Sequence, residues 1–509
     1  MSSFYVENFG CRATQADGAA IEQQFRDRGL DRASRPGTER FVVLNTCAVT
    51  ASAEQDARAA IRRLRRENPA CEVIVTGCYA QRTPYEVAAL PGVSLVVGNS
   101  HKHDLAQIAL SARSEKDTVK LTSFVPIANL RLADLSIADP CSEDRPRPDD
   151  SASPGIFVSD IFAHTELLAA PVFDSANERT RPNLKIQDGC NNRCSFCIIP
   201  SVRGRSRSLK LDEVLREVNQ LVAAGYREVV ISGINLGRWG RDLSNNAASS
   251  VGAHHNEIVG DGGPRPSTLE VLVKSILDHT PLEKLRISSV EPMDWTDSFI
   301  RLVADSPRIA KHAHVPMQSG SDTVLRRMHR KYRPWHYREK IEKIRAGMPT
   351  AAIGADVMVG FPGETVAEFD ETRRMIEDLP LTYLHVFTFS ARPGTPAAIM
   401  PNQVPANVAR ERNRILRELA AEKKLAFMRS FVGKNLDAIT LSAVSEDSHG
   451  PCTEALTDNY LKLKLRGGYE ANHWMRARVE AVEDGSLSGA ATSPAAMRRQ
   501  NAAQSGSPG

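Results

Sequence analysis

Three cysteines, Cys190, Cys194 and Cys197, share one short loop, CNNRCSFC, at spacings of four and three. Three thiolates can hold three irons of a four-iron cluster. The fourth iron is then left without a protein ligand, because full ligation takes four cysteines. An open iron can bind a small molecule and pass it an electron. Zinc is the competing occupant, but a structural zinc site takes four ligands, usually as two separated pairs. Here the fourth ligand is missing, and aromatic Phe196 precedes the last cysteine.

The chain has nine cysteines in 509 residues. In a large chain with the character of a cytoplasmic protein they make a poor disulfide framework. Cys11, Cys47 and Cys78 stand in FGCRATQ, NTCAVT and TGCYAQ, each just past a strand-like run. Those runs, with SLVVGN at 94–99, alternate with helical stretches. The pattern predicts an open parallel α/β sheet. In such a sheet the C-terminal strand ends form the edge where ligands bind, so three cysteines distant in sequence can converge there. Cys71 begins its strand at the opposite end. Cys141 and Cys452 carry no such signal.

A second β-α series begins at LKIQDG, directly before the cysteine loop. It continues through EVVISG (228–233), KLRISS (284–289), AHVPM (313–317), AIGADVMVG (352–360) and LHVFTFS (384–390). About six such units predict a partial parallel (β/α) barrel with its chemistry at the C-terminal strand ends. The fold class is therefore α/β. The expected domains are an N-terminal α/β domain (1–112), a linker or irregular segment (113–180), the barrel (181–428), a small all-β barrel (429–483) and a disordered tail (484–509). Residues 244–267 read as a surface insertion, and the pair His254 and His255 within it as loop residues rather than metal ligands.

Composition is ordinary. The net charge of +4 does not by itself demand nucleic acid. The N-terminus lacks a basic region followed by an apolar core, and no run of about 18 apolar residues occurs. The expectation is a cytoplasmic protein with no membrane partner.

The CxxxCxφC loop after the first strand of a β-α barrel resembles the signature of radical S-adenosylmethionine (radical SAM) enzymes. With FGC, NTC and TGC ahead of it, the chain resembles the radical SAM methylthiotransferases over nearly its whole length, including a C-terminal TRAM-like barrel. The resemblance implies two [4Fe-4S] clusters, one held by Cys190, Cys194 and Cys197 and an auxiliary one held by Cys11, Cys47 and Cys78. It also implies two uses of SAM. One methylates a sulfur on the auxiliary cluster; the other is cleaved to a 5′-deoxyadenosyl radical that removes hydrogen from the substrate carbon. The cofactors carry chemistry that no side-chain acid or base can perform. ISGIN (231–235), SSVEP (288–292), HVPMQSGS (314–321), DVMVGFPGET (356–365) and FTFSARPGTPAA (387–398) match family motifs, and Ser232, Gly233, Glu291 and Gln318 are the candidate SAM contacts.

The pairing of NTCAVT with GCYAQ, plus RISSVEP, is most similar to the branch that modifies threonylcarbamoyl adenosine at C2, next to the tRNA anticodon (position 37). FGCRATQ departs from that branch's usual pattern, in which lysine commonly follows the cysteine and Val-Asn precedes Gln. The alternatives are isopentenyl adenosine in tRNA and an aspartate of a ribosomal protein. The implied partners are tRNA, an electron donor such as flavodoxin or ferredoxin, and a sulfur source. Arg203, Arg205 and Arg207, together with Arg62, Arg63, Arg65 and Arg66, are candidate phosphate contacts. Lys462, Lys464, Arg466, Arg476 and Arg478 permit RNA binding by the small barrel.

Overall fold

The computed structural model describes residues 3–33, 39–49, 51–112, 154–164, 167, 181–243, 268–447 and 450–492. By contacts the chain divides into two compact units. The first is built on β1 (Ser3–Asn8), β2 (Asp31–Arg32), β3 (Phe41–Thr46), β4 (Glu72–Gly77), β5 (Val93–Gly98) and β6 (Gly155–Phe157), an all-parallel sheet in the order β2-β1-β3-β4-β5-β6. Every residue of β3 is buried, as a central strand covered on both faces requires. Phe4, Ile21, Phe25, Phe41, Ile74 and Val97 meet in one core.

The second unit carries β7 (Asn183–Asp188), β8 (Arg207–Ser208), β9 (Glu228–Gly233), β10 (Lys284–Ile287), β11 (His312–His314), β12 (Ala352–Val359) and β13 (Tyr383–Thr388). One sheet runs β10-β9-β7-β8 and another β11-β12-β13. Single parallel bridges, Leu285 to Ile309 and Ser289 to His314, connect them. Six parallel strands thus make the partial barrel, with β8 as an antiparallel edge. Alternation separates the faces. Leu184, Ile186, Val229, Ile231, Leu285, Ile287, Ala313, Ile353, Ala355, Val357, Val359 and Val386 join the core beneath the helices. Their polar neighbours, including Lys185, Gln187, Glu228, Ser232, Arg286, His312, His314 and Asp356, project to the opposite, inner face.

Five strands close the C-terminal barrel in the order β14-β15-β16-β18-β17: β14 (Asn435–Asp447), β15 (Gly450–Thr457), β16 (Lys462–Arg466), β17 (Trp474–Glu483) and β18 (Ser486–Ala491). Its turn between β15 and β16 meets the N-terminal ends of the parallel strands. Arg286 donates to the carbonyls of Asp458 (3.1 Å) and Thr457 (3.4 Å), Lys284 pairs with Asp458 at 3.2 Å, and Tyr460 packs on His312 at 4.7 Å between ring centroids.

Two expectations are corrected. The segment read as linker, 113–180, contains β6 and a helical turn at Ile161–Ala163. Three residues with one β-branched side chain are too short to stand out by period, and pairing with β5 defines them. The tail expected from 484 begins with a turn and β18. In SLSGAA the small residues hid the strand. Leu487 is its one large apolar side chain, and it is buried. Cys141, His254 and His255 lie outside the described residues. Among the described residues no helix is long and apolar enough to cross a membrane.

The Arg286–Glu228 pair, joined at 2.6 Å with side chains 1% and 0% exposed, fastens the barrel floor to the C-terminal domain. Glu228→Ala strands a buried guanidinium, so a loss of about 3–5 kcal/mol is expected in denaturant unfolding. Unchanged stability would show that Arg286 finds other compensation.

Candidate active site

In the N-terminal unit the three cysteines leave the C-terminal edge of the sheet. Cys47 and Cys78 follow β3 and β4 directly, and Cys11 lies three residues beyond β1. Two glycines let them converge. At Gly10, with φ of 109°, an added Cβ would stand 2.6 Å from the Cβ of Cys47 and 3.0 Å from its sulfur. At Gly77, with φ of 96°, a Cβ would meet the Thr46 carbonyl at 2.2 Å. Both turns occupy backbone space that only glycine enters freely. Asn45 ties the neighbouring loop down, donating to Asn8 Oδ1 (2.9 Å) and to the Thr14 carbonyl (2.7 Å). Asn99 Nδ2 approaches Cys78 Sγ at 3.6 Å.

Burial, then the Cys78 and Cys11 thiols, push the Cys47 thiol up to about 12. Three neighbouring thiols are a donor set for cations: bound metal replaces the protons and stabilises the thiolates. The set fits an iron–sulfur cluster with three protein ligands. Cys71, before β4 at the other end of the strand, takes no part.

In the second unit the loop after β7 is held by its own strand. Gln187 Nε2 donates to the carbonyls of Asp188 (3.0 Å) and Gly189 (2.8 Å) and to Ser206 Oγ (2.9 Å), while its Oε1 accepts from the Asn235 N–H (2.7 Å). Gly189 has φ of 69°, and a Cβ there would lie 2.0 Å from the Arg205 carbonyl. Cys190 N donates to the Gly204 carbonyl at 3.1 Å and Ser195 N to that of Met328 at 3.1 Å. Phe196 packs against the apolar group of Val324, Met328, Met358, Phe361 and Ala397, so the aromatic position anchors the loop. Burial pushes Cys197 up to about 12, with Cys194 and Cys190 adding to it, and raises Cys190. This second trio fits a cluster on the same ground as the first.

Asn235 Nδ2 donates to Cys190 Sγ at 3.5 Å, and Arg330 Nη1 to Cys194 Sγ at 3.3 Å. Arg330 also pairs with Glu291. Asn192, Cys194, Arg238, Glu291, Arg330 and Tyr332 line a cleft beside the loop. Of the four candidate SAM contacts, Glu291 lines this cleft. Ser232 and Gly233 end β9, where Gly233 leaves room for the Gln187 side chain, 2.8 Å from where a Cβ would sit. Gln318, with φ of 60°, bridges to β12 through Val357. Ser232 Oγ, Asn235 Oδ1 and Gln318 Oε1 are buried without a hydrogen-bond partner among the described residues. Buried polar atoms are normally satisfied, so these oxygens suit a bound polar molecule. Reading from sequence missed Gln187, Asn235 and Arg330. IQDGC and ISGIN hinted at the first two; nothing in MHRKYRP marked Arg330.

A parallel-barrel enzyme with a three-cysteine loop on its active face is the class that this fold and site define. Residues 184–376 match the description "Radical SAM superfamily" and residues 3–98 "Uncharacterized protein family UPF0004". The chain is 35% identical over 468 residues to "Threonylcarbamoyladenosine tRNA methylthiotransferase MtaB" of Bacillus subtilis (strain 168), covering 92% of this chain and 91% of that one. It is 31% identical to the protein of the same description from Aquifex aeolicus (strain VF5), covering 93% and 99%. It is 30% identical to "tRNA-2-methylthio-N(6)-dimethylallyladenosine synthase" of Thermobifida fusca (strain YX), covering 90% and 82%. The chain belongs to the radical SAM methylthiotransferase family. Its cofactors are SAM, a [4Fe-4S] cluster and a second, auxiliary cluster.

Gly77→Ala forces a Cβ onto the Thr46 carbonyl and breaks the N-terminal trio. Iron per reconstituted chain should fall from about eight to about four. Full iron would show that this turn tolerates a side chain.

Proposed function

We propose that this enzyme adds a methylthio group to C2 of N6-threonylcarbamoyladenosine next to the tRNA anticodon. The observation that carries the reading is the pair of three-cysteine sets, each at the C-terminal edge of its own parallel sheet. The relatives at 35% and 31% identity, both described as threonylcarbamoyladenosine tRNA methylthiotransferases, favour the threonylcarbamoyl substrate over the dimethylallyl one.

Cys190, Cys194 and Cys197 hold the SAM-binding cluster, and Cys11, Cys47 and Cys78 the auxiliary one. When bound, the clusters supply the electron for SAM cleavage and the sulfur for transfer. The chain's own residues position them. Gln187 and the Gly189 turn fix the loop, Arg330 sets a cation beside Cys194, and Phe196 seats the loop in the apolar wall. Ser232, Gly233, Glu291 and Gln318 contact SAM, the orphaned oxygens of Ser232 and Gln318 accepting from it.

Transfer RNA binds by its phosphates. On β16, exposed or half-buried Lys462, Lys464 and Arg466 alternate with buried Leu463 and Leu465; Arg476 and Arg478 of β17 are exposed. Between them β18 presents small residues, with Ser488 paired to Lys464 and Ala490 to Arg478. Within this face Arg466 is joined to Glu480 and Lys464 stands 4.0 Å from Asp484, so Lys462, Arg476 and Arg478 are the cations that support the reading. Arg205, Arg62, Arg65 and Arg66 are also exposed. Two expected phosphate contacts are corrected: Arg203 is 2% exposed, and Arg63 is bound to Glu7 through both carboxylate oxygens. The setting is the cytoplasm, with flavodoxin or ferredoxin as electron donor and a separate sulfur source.

Alanine at any of the six cysteines should abolish methylthiolation, read by mass spectrometry of tRNA nucleosides. At Cys190, Cys194 or Cys197 it should also stop 5′-deoxyadenosine formation, whereas at Cys11, Cys47 or Cys78 some should persist. Unchanged tRNA with an altered ribosomal protein would overturn the substrate.

A further inference from the structure

The inner face of β11, β12 and β13 carries a polar group that neither cluster uses. Asp356 Oδ1 lies 3.3 Å from His314 Nε2 and 3.2 Å from His385 Nδ1. The ring nitrogen His314 Nδ1 is 2.9 Å from Ser289 Oγ. The two imidazoles stand 5.3 Å apart. Strand register explains the grouping: Asp356 pairs directly with His385, and His314 with Gly354, one inner-face step away.

Below this row the barrel is plugged. Gly354 has no side chain because the Tyr383 ring lies where one would be, and Tyr383 OH meets His312 Nε2 at 2.7 Å. Tyr460 of the C-terminal barrel packs on both rings. Above the row, Met358 and Phe387 belong to the apolar group that holds Phe196 of the cysteine loop. One inner-face step along a strand is about 7 Å. The triad is therefore a floor one row beneath the wall that seats the loop. It is open on one side: the His385 side chain is 62% exposed, while those of His314 and Asp356 are 11% and 26%.

Both imidazoles turn a nitrogen to Asp356 Oδ1 and His314 turns its other one to Ser289, so the group presents a ligand with the second nitrogen of exposed His385 and the second oxygen of Asp356. A dimethylallyl arm has no polar group to satisfy either. A threonylcarbamoyl arm carries a carboxylate for His385 and hydroxyl and urea N–H groups for Asp356. Resting on the tRNA reading above, we propose that His314, Asp356 and His385 form the pocket that recognises the threonylcarbamoyl arm on N6 of the target adenosine. The arm reaches the triad while the ring stays near the cysteine loop. A site built to hydrogen-bond its substrate rejects an analogue lacking those groups strongly, since its polar atoms are then left unpaired.

The test uses reconstituted enzyme and three anticodon stem-loops that differ only at N6: threonylcarbamoyl, dimethylallyl and unsubstituted. Wild type should prefer the first by about 100-fold or more in kcat/KM. His385→Ala and Asp356→Asn should reduce that ratio at least tenfold, with iron content checking that each variant is folded. A wild type without preference overturns the substrate reading and the proposal with it. A wild type with preference, and variants that keep it in full, overturn the proposal alone. Stoichiometric non-iron metal in wild type that is lost from Asp356→Asn also overturns it, by making the triad a metal site.

Discussion

Packing a cysteine thiol into the protein beside two others is unfavourable for its ionisation, and this protein does it twice, at Cys47 and at Cys197. Burial is what raises the thiols of Cys47 and Cys197 most, and the neighbouring sulfurs add to it. The backbone must hold the sulfurs together before any metal repays that cost. It does so with turns that only glycine makes without strain: Gly10 against Cys47, Gly77 against Thr46, Gly189 against Arg205. These close approaches bring cysteines that are scattered in sequence to the same strand ends.

Strand alternation then sorts the catalytic unit. Apolar side chains point to the helices and make the large core. Polar ones point inward, and their chemistry changes along the strands. At the C-terminal ends stand Gln187, Ser232 and the cysteine loop. At the other end the Arg286–Glu228 pair and the His312–Tyr383–Tyr460 stack seal the floor against the C-terminal barrel. Sealing has a functional consequence, because it closes the inner face at that end. A radical that abstracts hydrogen from unactivated carbon is best kept from water and stray partners.

The six cysteines and the strands that carry them were legible because each signal was local and physically specific: an apolar run, a glycine, a thiol. The partial barrel followed from six runs in series. Strands β6 and β18 were not legible. One lies in a polar segment and is defined by pairing, the other is built from small residues whose burial depends on barrel closure. Arg203 looked like an exposed cation among its neighbours, yet tertiary packing buries it. Arg330 and the His314–Asp356–His385 grouping are contacts across long sequence distances, and no periodicity announces them. Gln187 shows the intermediate case. Its place before the cysteine loop was visible, but its four hydrogen bonds, which hold that loop, belong to the folded chain.

The proposed division of labour requires SAM to bind the iron that Cys190, Cys194 and Cys197 would leave open. Electron–nuclear double resonance on the reduced enzyme, with SAM labelled at its amino nitrogen and carboxylate, tests that directly. The label should couple to the cluster spin when Cys11, Cys47 and Cys78 are all alanine, and should show no coupling when Cys190, Cys194 and Cys197 are. Coupling that follows the N-terminal cysteines instead would contradict the assignment.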